Sequence, residues 1–379
     1  MGHIKFFAGN SIAEKNDGGN MRRILPVFFI ILLIFVSIAG CKKNDSPAAP
    51  ATATVNLTAT ATASPTAATA TVSATTSVTA TATVTVTATV TATTVIAPSF
   101  VKTFGSLGSG DTNLSGPVGI AFDASGNLYV ADLGNNRVQK LTSSLTYDST
   151  IGSVGSSDGQ FYSPVGVAVN KITGDIYVLD SGNNRVQIFD SAGTYSSKFG
   201  SNGPGDGQFN DACGIALDSS GNVYVADAQN NRVQKFSAAG VYISQAGTYG
   251  SGVNQLNYPF ALSLSSTGSL YVADFNNSRV QLLTTALGFT GSWGTAGSGD
   301  GEFSVPSGIG VDAAGNVYVS ENGNSRVQVF ASSGTFITSW GSSGTGDGQF
   351  DFPCGIAIDN AGAIYVADRD NNRIQMFSR

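Results

Sequence analysis

Residues 117–141 read PVGIAFDASGNLYVADLGNNRVQKL. Three short apolar runs in this stretch are separated by two turn signals, the Asp-x-x-Gly-Asn of Asp123–Asn127 and the Asn-Asn-Arg of Asn135–Arg137. Gly, Asn and Asp favour tight turns, and β-branched and aromatic residues favour strands. The stretch therefore predicts three short strands joined by tight turns.

The same pattern recurs six times between Ser99 and the end of the sequence, and internal repeats are the strongest guide to a fold. The Tyr-Val-x-Asp segment closes at steps of 48, 47, 47, 47 and 47 residues, on Asp132, Asp180, Asp227, Asp274, Glu321 and Asp368. A fourth run in each copy ends just before a glycine, at Phe104, Ile151, Phe199, Ala246, Trp293 and Trp340. Four short strands per period are typical of a propeller blade. The sequence predicts an all-β, six-bladed β-propeller over residues 99–379.

The two ends of this region complement each other. A fourth-strand run, Ser99–Gly105, precedes the first complete trio of strands, whereas the sequence ends on a third-strand run, Arg373–Phe377. Pairing these two runs would complete the sixth blade and remove an open sheet edge. We therefore expect the N-terminal strand to close the ring.

The repeat closely resembles the NHL repeat, in its Pro-x-Gly-Ile-Ala-x-Asp, Gly-Asn-x-Tyr-Val-Ala-Asp and Asn-x-Arg-x-Gln-x-Phe motifs. Three departures are local: Ala212 replaces Pro, Phe260–Leu262 replace x-Gly-Ile, and Glu321 replaces Asp. The resemblance implies a propeller that serves as an interaction module, an extracellular sensor domain, or a lyase-like or lactonase-like enzyme. The fold therefore leaves the function open.

The N-terminal residues carry an export signal. Residues 1–20 are polar and unpatterned, and we interpret them as an upstream extension before Met21. Residues 21–40 combine a basic start, Met21–Arg23, with the apolar run Ile24–Val36, which is shorter than the roughly 20 residues that a membrane-spanning helix needs. This is the organisation of a signal peptide.

The segment Ser37–Cys41 resembles the lipobox of bacterial lipoproteins, which implies that Cys41 is lipidated and becomes the first mature residue. The alternative is an uncleaved membrane anchor with an incidental cysteine. We expect a protein of the bacterial cell envelope that is lipid-anchored and extracytoplasmic, at the outer membrane or the cell surface.

Residues 41–98 are expected to form a disordered linker behind the lipid. The sequence from Ser46 to Val101 contains no charged residue and is mostly Thr and Ala, too little apolar volume to offset the entropy of ordering the chain. Its alternation, as in Thr83–Thr87, also resembles a strand, so a small β element is the alternative.

Composition excludes several classes of function. Lys and Arg total 19 against 25 Asp and Glu, so no excess of positive charge is available for a nucleic-acid partner. The single histidine is His3, upstream of the predicted propeller. The resemblance implies that propeller enzymes of this kind mostly use histidine, so we expect no enzyme, no cofactor and no metal site.

An acid and an arginine recur in every copy, on either side of the turn between the second and third strands. A residue present in every blade most simply serves the blade, so we interpret the acid as a turn cap paired with the arginine. The alternative is a ring of ligand-binding charges. The pairs are Asp132 with Arg137, Asp180 with Arg185, Asp227 with Arg232, Asp274 with Arg279, Glu321 with Arg326, and Asp368 with Arg373.

Two cysteines occupy the same position of different repeats, three blades apart. Cys213 and Cys354 each fill the x of x-Gly-Ile, so they should face each other across the channel. A disulfide needs Cα atoms within about 7 Å, less than the expected width of the channel mouth. We expect two free, half-buried thiols, with a thiol pair on a soft metal as the alternative.

Residues that vary among blades on the face with the blade-joining loops are the ligand-binding candidates. They mix aromatic and charged groups around the channel mouth, as binding surfaces do. They are Tyr162, Asp211, Tyr258, Phe260, Phe275, Phe352, Arg369 and Asp370. We expect a monomeric module that binds a protein, a peptide or an envelope glycan; a propeller lyase or hydrolase and a purely structural envelope protein are the alternatives.

Overall fold

The computed structural model describes residues 97–379 in full. Upstream it describes only the backbone of the strands Glu14–Lys15, Met21–Arg22, Thr54–Thr62, Ala68–Ser77 and Thr87–Ala92. The last three form one sheet within the Thr/Ala-rich segment. Cys41 and the apolar run of the expected signal peptide lie outside the described residues. Within the described part of the chain, no helix has the length and apolar character that crossing a membrane requires.

Residues 99–378 form twenty-four strands in six antiparallel four-stranded blades, which confirms the predicted propeller. Blade 1 contains β2 (Pro117–Phe122), β3 (Leu128–Asp132), β4 (Arg137–Leu141) and β5 (Tyr147–Ile151). Blade 2 contains β6 (Pro164–Val169), β7 (Ile176–Asp180), β8 (Arg185–Phe189) and β9 (Tyr195–Phe199). Blade 3 contains β10 (Ala212–Leu217), β11 (Val223–Asp227), β12 (Arg232–Phe236) and β13 (Tyr242–Ala246).

Blade 4 contains β14 (Pro259–Leu264), β15 (Ser269–Asp274), β16 (Arg279–Thr284) and β17 (Phe289–Trp293). Blade 5 contains β18 (Pro306–Val311), β19 (Val317–Glu321), β20 (Arg326–Phe330) and β21 (Phe336–Trp340). Blade 6 contains β22 (Pro353–Ile358), β23 (Ile364–Asp368) and β24 (Arg373–Ser378), and its outer strand is β1 (Ser99–Phe104). The expected closure of the ring by the N-terminal strand is therefore confirmed.

The Asn-Asn-Arg signal produces a tight turn between the second and third strands. In blades 1 and 2 this turn is one turn of 3-10 helix, Leu133–Asn135 and Ser181–Asn183. The following residue, Asn136 or Asn184, has a φ of 53° in the left-handed region. Asparagine tolerates this conformation because its short side chain can form local hydrogen bonds.

The glycine of x-Gly-Ile is required by close packing of the inner strands. A Cβ atom added at Gly119 would lie 2.7 Å from the carbonyl oxygen of Val165, and one at Gly355 would lie 2.3 Å from that of Val118. Neighbouring inner strands can approach closely only without a side chain at these positions. The six inner strands therefore surround a narrow central channel, with a cavity of about 260 Å³.

The hydrophobic core lies between blades. Each apolar cluster draws its side chains from two adjacent blades; one of them joins Leu128 and Val130 of blade 1 to Tyr365 and Ile374 of blade 6. Because a buried aliphatic or aromatic side chain contributes about 1.5 to 3 kcal/mol, contacts between blades supply much of the stability of the ring. The trio of Leu-Tyr-Val positions in each repeat builds these interfaces.

The repeated acid is fully buried, and it ties the blade-joining loop to its blade. Oδ1 of Asp132 accepts a hydrogen bond from the backbone N–H of Ser115 at 2.6 Å, and Oδ2 accepts one from Nε of Arg137 at 2.8 Å. Nη2 of Arg137 in turn donates to the carbonyl oxygens of Gly110 and Asn113. The predicted acid–arginine contact is present in all six blades.

The repeated acid contacts its turn through a side chain and not through backbone N–H groups. In the three blades whose turn is a 3-10 helix, the acid accepts no hydrogen bond from the backbone of that turn. It accepts one from a turn asparagine instead, as Oδ2 of Asp132 does from Nδ2 of Asn135 at 2.8 Å. Its backbone donor lies in the blade-joining loop, 17 residues upstream for Ser115 and Asp132 and 18 for Tyr162 and Asp180. The acid therefore stabilises a contact between distant parts of the repeat, which the local turn pattern did not indicate.

Candidate functional site

The blade-joining loops and the turns between second and third strands meet on one face of the propeller, the channel-mouth face. A backbone hydrogen bond joins loop and turn in each blade, for example from the N–H of Gln229 to the carbonyl oxygen of Asn210, at 3.1 Å. The first residues of the inner strands open onto the same face, which makes it the place where side chains of different blades converge.

Three aromatic candidates of blade 4 form one cluster, the aromatic cluster. Phe260 and Phe275 stack with ring centroids 5.3 Å apart and an interplanar angle of 25°. Tyr258 lies 5.7 Å from Phe275 and 6.4 Å from Phe260. All three side chains are half-buried. Since Phe260 also lines the channel, the cluster lies at the channel mouth.

A carboxylate from blade 3 adjoins the aromatic cluster. The hydroxyl of Tyr258 donates a 2.5 Å hydrogen bond to Oδ2 of Asp211. Burial raises the pKa of Tyr258, and the neighbouring Cys213 and Asp211 raise it further, so the phenol remains neutral and acts as a donor. Asp211 itself is exposed. The hydroxyl of Tyr258 engages only Oδ2, so Oδ1 can accept a further hydrogen bond.

The residue just before each of these inner strands has its backbone in the left-handed region. Asp211 has a φ of 52° and Tyr258 a φ of 59°, where blade 1 has Gly116 with a φ of 60°. A bulky residue is uncommon in this conformation. The N–H of Tyr258 donates to Oδ1 of Asn231 at 2.9 Å, so the turn of blade 3 holds the entry to β14.

A second group of candidates lies in blade 6. The guanidinium of Arg369 lies over the ring of Phe352, 4.7 Å from its centroid, and its Nε is 3.7 Å from Oδ1 of Asp370. Tyr162 of blade 2 stands apart and is 56% exposed. The structure thus brings together four of the eight predicted residues at blades 3 and 4, and groups three others at blade 6.

Four polar residues beside the aromatic cluster were missed by the sequence interpretation. Asn210 and Gln229 lie together in blade 3, and Asn257 and Asn276 in blade 4, where Nδ2 of Asn276 donates to Oδ1 of Asn257 at 3.1 Å. A signal was available in the alignment of the repeats. The positions equivalent to Gln229 and Asn276 are glycine in blades 1, 2 and 5, namely Gly134, Gly182 and Gly323.

Both cysteines are free thiols, as expected, but they are not half-buried. Cys213 is 8% exposed and Cys354 is fully buried. Each follows the first residue of an inner strand, where the side chain packs between strands; Cys354 belongs to the core cluster of blades 1 and 6. Burial raises the pKa of both thiols, that of Cys354 to about 12. The thiols are therefore protonated at neutral pH and poorly nucleophilic.

The repeated acids cannot contact a ligand from this face, because their side chains are inaccessible. All six, including Glu321, have no exposed surface, and each is paired with an arginine. Among the described residues, no group of three or more His, Cys, Asp or Glu side chains is arranged to hold a metal ion. The accessible chemistry of the channel-mouth face therefore lies in its variable residues.

The fold and this face define a class of protein: a six-bladed propeller with one asymmetric channel mouth. The NHL repeat family model matches residues 114–141, 161–189, 209–236, 303–330 and 350–377. Five of the six blades are therefore NHL repeats. The five matches leave out blade 4, where Phe260–Leu262 depart from the repeat and where the aromatic cluster lies.

Several solved propellers are similar in fold. An auxiliary nutrient binding protein from Bacteroides thetaiotaomicron is 14% identical with a TM-score of 0.54, covering 73% of this chain and 76% of that one. A virginiamycin B lyase from Staphylococcus aureus, solved with quinupristin as a catalytically inactive histidine-to-alanine variant, is 15% identical with a TM-score of 0.52, covering 73% and 88%. A gluconolactonase from Xanthomonas campestris is 15% identical with a TM-score of 0.53, covering 70% and 87%. No curated protein matches the sequence significantly.

Proposed function

We propose that this NHL-repeat protein is a binding module, and that its ligand docks on the channel-mouth face at blades 3 and 4. The observation that carries the proposal is the cluster of Asp211, Tyr258, Phe260 and Phe275, in which a carboxylate and three aromatic rings from two blades meet at the channel mouth. Half-buried aromatic residues with a few placed polar groups are the usual make-up of a binding site.

The departure of blade 4 from the repeat supports this placement. An aromatic residue at 260 replaces Val118, Val165, Cys213, Ser307 or Cys354 of the other blades, none of which is aromatic. A scaffold role would be served equally by those smaller side chains. The large ring at this one position therefore serves something particular to this face.

An enzyme on the same fold is the alternative, and the similar lyase and lactonase structures keep it open. The lyase is described as inactive when a histidine is replaced by alanine. Residues 97–379 of the present chain contain no histidine. Any reaction here would need a different general base, and the channel-mouth face offers Asp211, which the hydroxyl of Tyr258 already engages.

We further propose that the module acts outside the cytoplasm, anchored by a lipid on Cys41. The basic start, short apolar run and lipobox-like Ser37–Cys41 occur together and in order. Residues 42–98 would then separate the propeller from the membrane.

A pull-down from envelope extract tests the proposal. The full chain is immobilised, and bound material is compared with that retained by the Phe260→Ala and Arg369→Ala variants. We expect Phe260→Ala to lose the retained material, since its ring lies at the centre of the cluster. Tyr249→Ala is the matched control, because Tyr249 is a 71% exposed aromatic residue outside the cluster. Equal retention by all variants would contradict the proposal.

A further inference from the structure

We infer that the ligand of this face is a neutral glycan, bound across blades 3 and 4. The inference rests on the proposed function and names the chemical class of its ligand. Eight residues form the glycan surface: Asn210, Asp211, Gln229, Asn257, Tyr258, Phe260, Phe275 and Asn276.

A sugar ring has an apolar C–H face and a rim of hydroxyl groups that both donate and accept hydrogen bonds. Phe260 and Phe275 stack with an interplanar angle of 25°, so their outer faces are roughly parallel, and both side chains are only half-buried. Aromatic faces bury large apolar area in a fixed geometry. The pair therefore suits the C–H face of a pyranose ring better than an irregular aliphatic surface would.

The polar side chains beside the pair suit the hydroxyl rim. Asn and Gln amides donate through nitrogen and accept through oxygen, as hydroxyl groups require. The hydrogen bond between loop and turn places Asn210 beside Gln229 and Asn257 beside Asn276. Oδ1 of Asp211 supplies a further acceptor, because the hydroxyl of Tyr258 is bonded to Oδ2.

The distribution of these amides separates a site from a general surface property. In all six blades a backbone N–H of the turn donates to a backbone carbonyl of the blade-joining loop. Only blades 3 and 4 have amide side chains on both the loop residue and the turn residue of this hydrogen bond. Blades 1, 2 and 5 have glycine at the second position, and blade 6 has Asp351 and Asp370. At these two positions, paired amides therefore occur only in blades 3 and 4, where the aromatic cluster and Asp211 lie.

The charge of the surface favours a neutral ligand. Its eight residues include one carboxylate and no Lys or Arg, so nothing on it pairs with phosphate, sulfate or a carboxylate. The three rings pack against one another with centroids 5.3 to 6.4 Å apart. They leave no open cage for an ammonium group, which a cation–π site would need.

The test uses the full chain and three neutral hexasaccharides, of β-linked glucose, β-linked xylose and β-linked N-acetylglucosamine. Binding is measured by isothermal titration and by saturation-transfer NMR. We expect at least one to bind, with NMR contacts on the C–H face of a ring. Phe260→Leu keeps apolar volume but removes the ring, and Asn276→Ala removes an amide; each should weaken binding by about tenfold or more. Tyr249→Ala should bind as the wild type does.

Three results would overturn the inference. The first is binding that Phe260→Leu and Asn276→Ala leave unchanged in folded protein, as judged by melting temperature. The second is the absence of binding by all three hexasaccharides up to about 10 mM. If the pull-down then still depended on Phe260, the ligand would be a protein or peptide and the proposed function would stand. The third is that substitutions in the glycan surface change neither hexasaccharide binding nor the material retained in the pull-down. This result would contradict both the glycan inference and the proposed function.

Discussion

Phe104 of β1 and Ile374 of β24 are register partners in the sixth blade, although they lie at opposite ends of the propeller sequence. Phe104 is 8% exposed and Ile374 is fully buried, and both belong to the core cluster between blades 1 and 6. The ring is therefore closed both by a strand ladder and by an apolar interface. Closure removes the open edge that β24 would otherwise expose.

Removing β1 should open the ring. Deleting residues 41–98 leaves β1 intact and should give a folded propeller, whereas deleting residues 41–106 removes Phe100 and Phe104 with the whole β1–β24 ladder. We expect the second deletion to lower stability by more than about 3 kcal/mol, from lost apolar burial alone. Thermal and denaturant unfolding of the two proteins measures the difference. Equal stability would show that the two ends do not depend on each other.

The two propeller thiols should be unreactive in the folded protein. Burial raises the pKa of Cys213 and of Cys354, so the thiolate that reacts with disulfide reagents is scarce at pH 8. A Cys41→Ser chain should show no fast-reacting thiol when native and two after unfolding in guanidinium. Fast reaction of one thiol in the native state would mean that its strand opens readily or that its side chain is exposed.

Acid should weaken the turn between β10 and β11 through Asp218. Burial alone would raise the pKa of Asp218, but hydrogen bonds from Asn222 and Tyr224 outweigh it, and the pKa lies below its ordinary value of 3.8. A lowered carboxyl pKa contributes stability above the unfolded value, and this is lost as pH falls through the folded value. Stability measured from pH 6 to pH 2 should therefore fall less steeply in Asp218→Asn. An identical slope would contradict this role.

Much of the fold was predictable because the same pattern of apolar runs and turn residues occurs in every repeat. The strands, their order and the pairing of β1 with β24 follow from apolar runs and turn residues that recur six times. The burial of Cys354 was misjudged, because the close approach of inner strands at Gly355 is a property of the assembled ring. The hydrogen bond that the N–H of Tyr162 donates to Asp180 was missed for the same reason, since Tyr162 lies in a distant loop.

The site was predictable only in part. Phe260 and Phe275 differ from their equivalents in size and chemistry, so comparison of the repeats singles them out. Asn210 does not stand out in this way, because Asn is common in loops for conformational reasons alone, and Asn276 was overlooked although glycine fills its position in blades 1, 2 and 5. Their relevance depends on lying beside an aromatic cluster, which only the three-dimensional arrangement reveals.

Lipidation should depend on Cys41. Cys41→Ser should leave the precursor unprocessed and without acyl chains, because the cysteine is both the modified residue and the marker of the cleavage site that the lipobox resemblance implies. Mass spectrometry of the N-terminal peptide from bacterial membranes measures this directly. A wild-type protein that is unacylated, or cleaved at another residue, would show that the export interpretation is wrong.

Replacing a repeated acid should lower the stability of the propeller and leave ligand binding unchanged, and replacing a variable aromatic residue should have the opposite effects. Asp180→Ala removes the acceptor for the N–H of Tyr162 and for Arg185, and leaves a buried guanidinium without its carboxylate. Breaking a buried ion pair in this way costs about 3 to 5 kcal/mol, so the melting temperature should fall sharply. Blade 2 carries none of the glycan surface, so the folded fraction should bind as the wild type does.

Phe260→Ala should weaken binding and leave stability nearly unchanged, since a half-buried ring at the channel mouth leaves no closed cavity when truncated. Both variants are measured by unfolding and by titration with the same hexasaccharide. If Asp180→Ala melted normally but bound poorly, the repeated acids would be the ligand site and the variable residues of this face only scaffold.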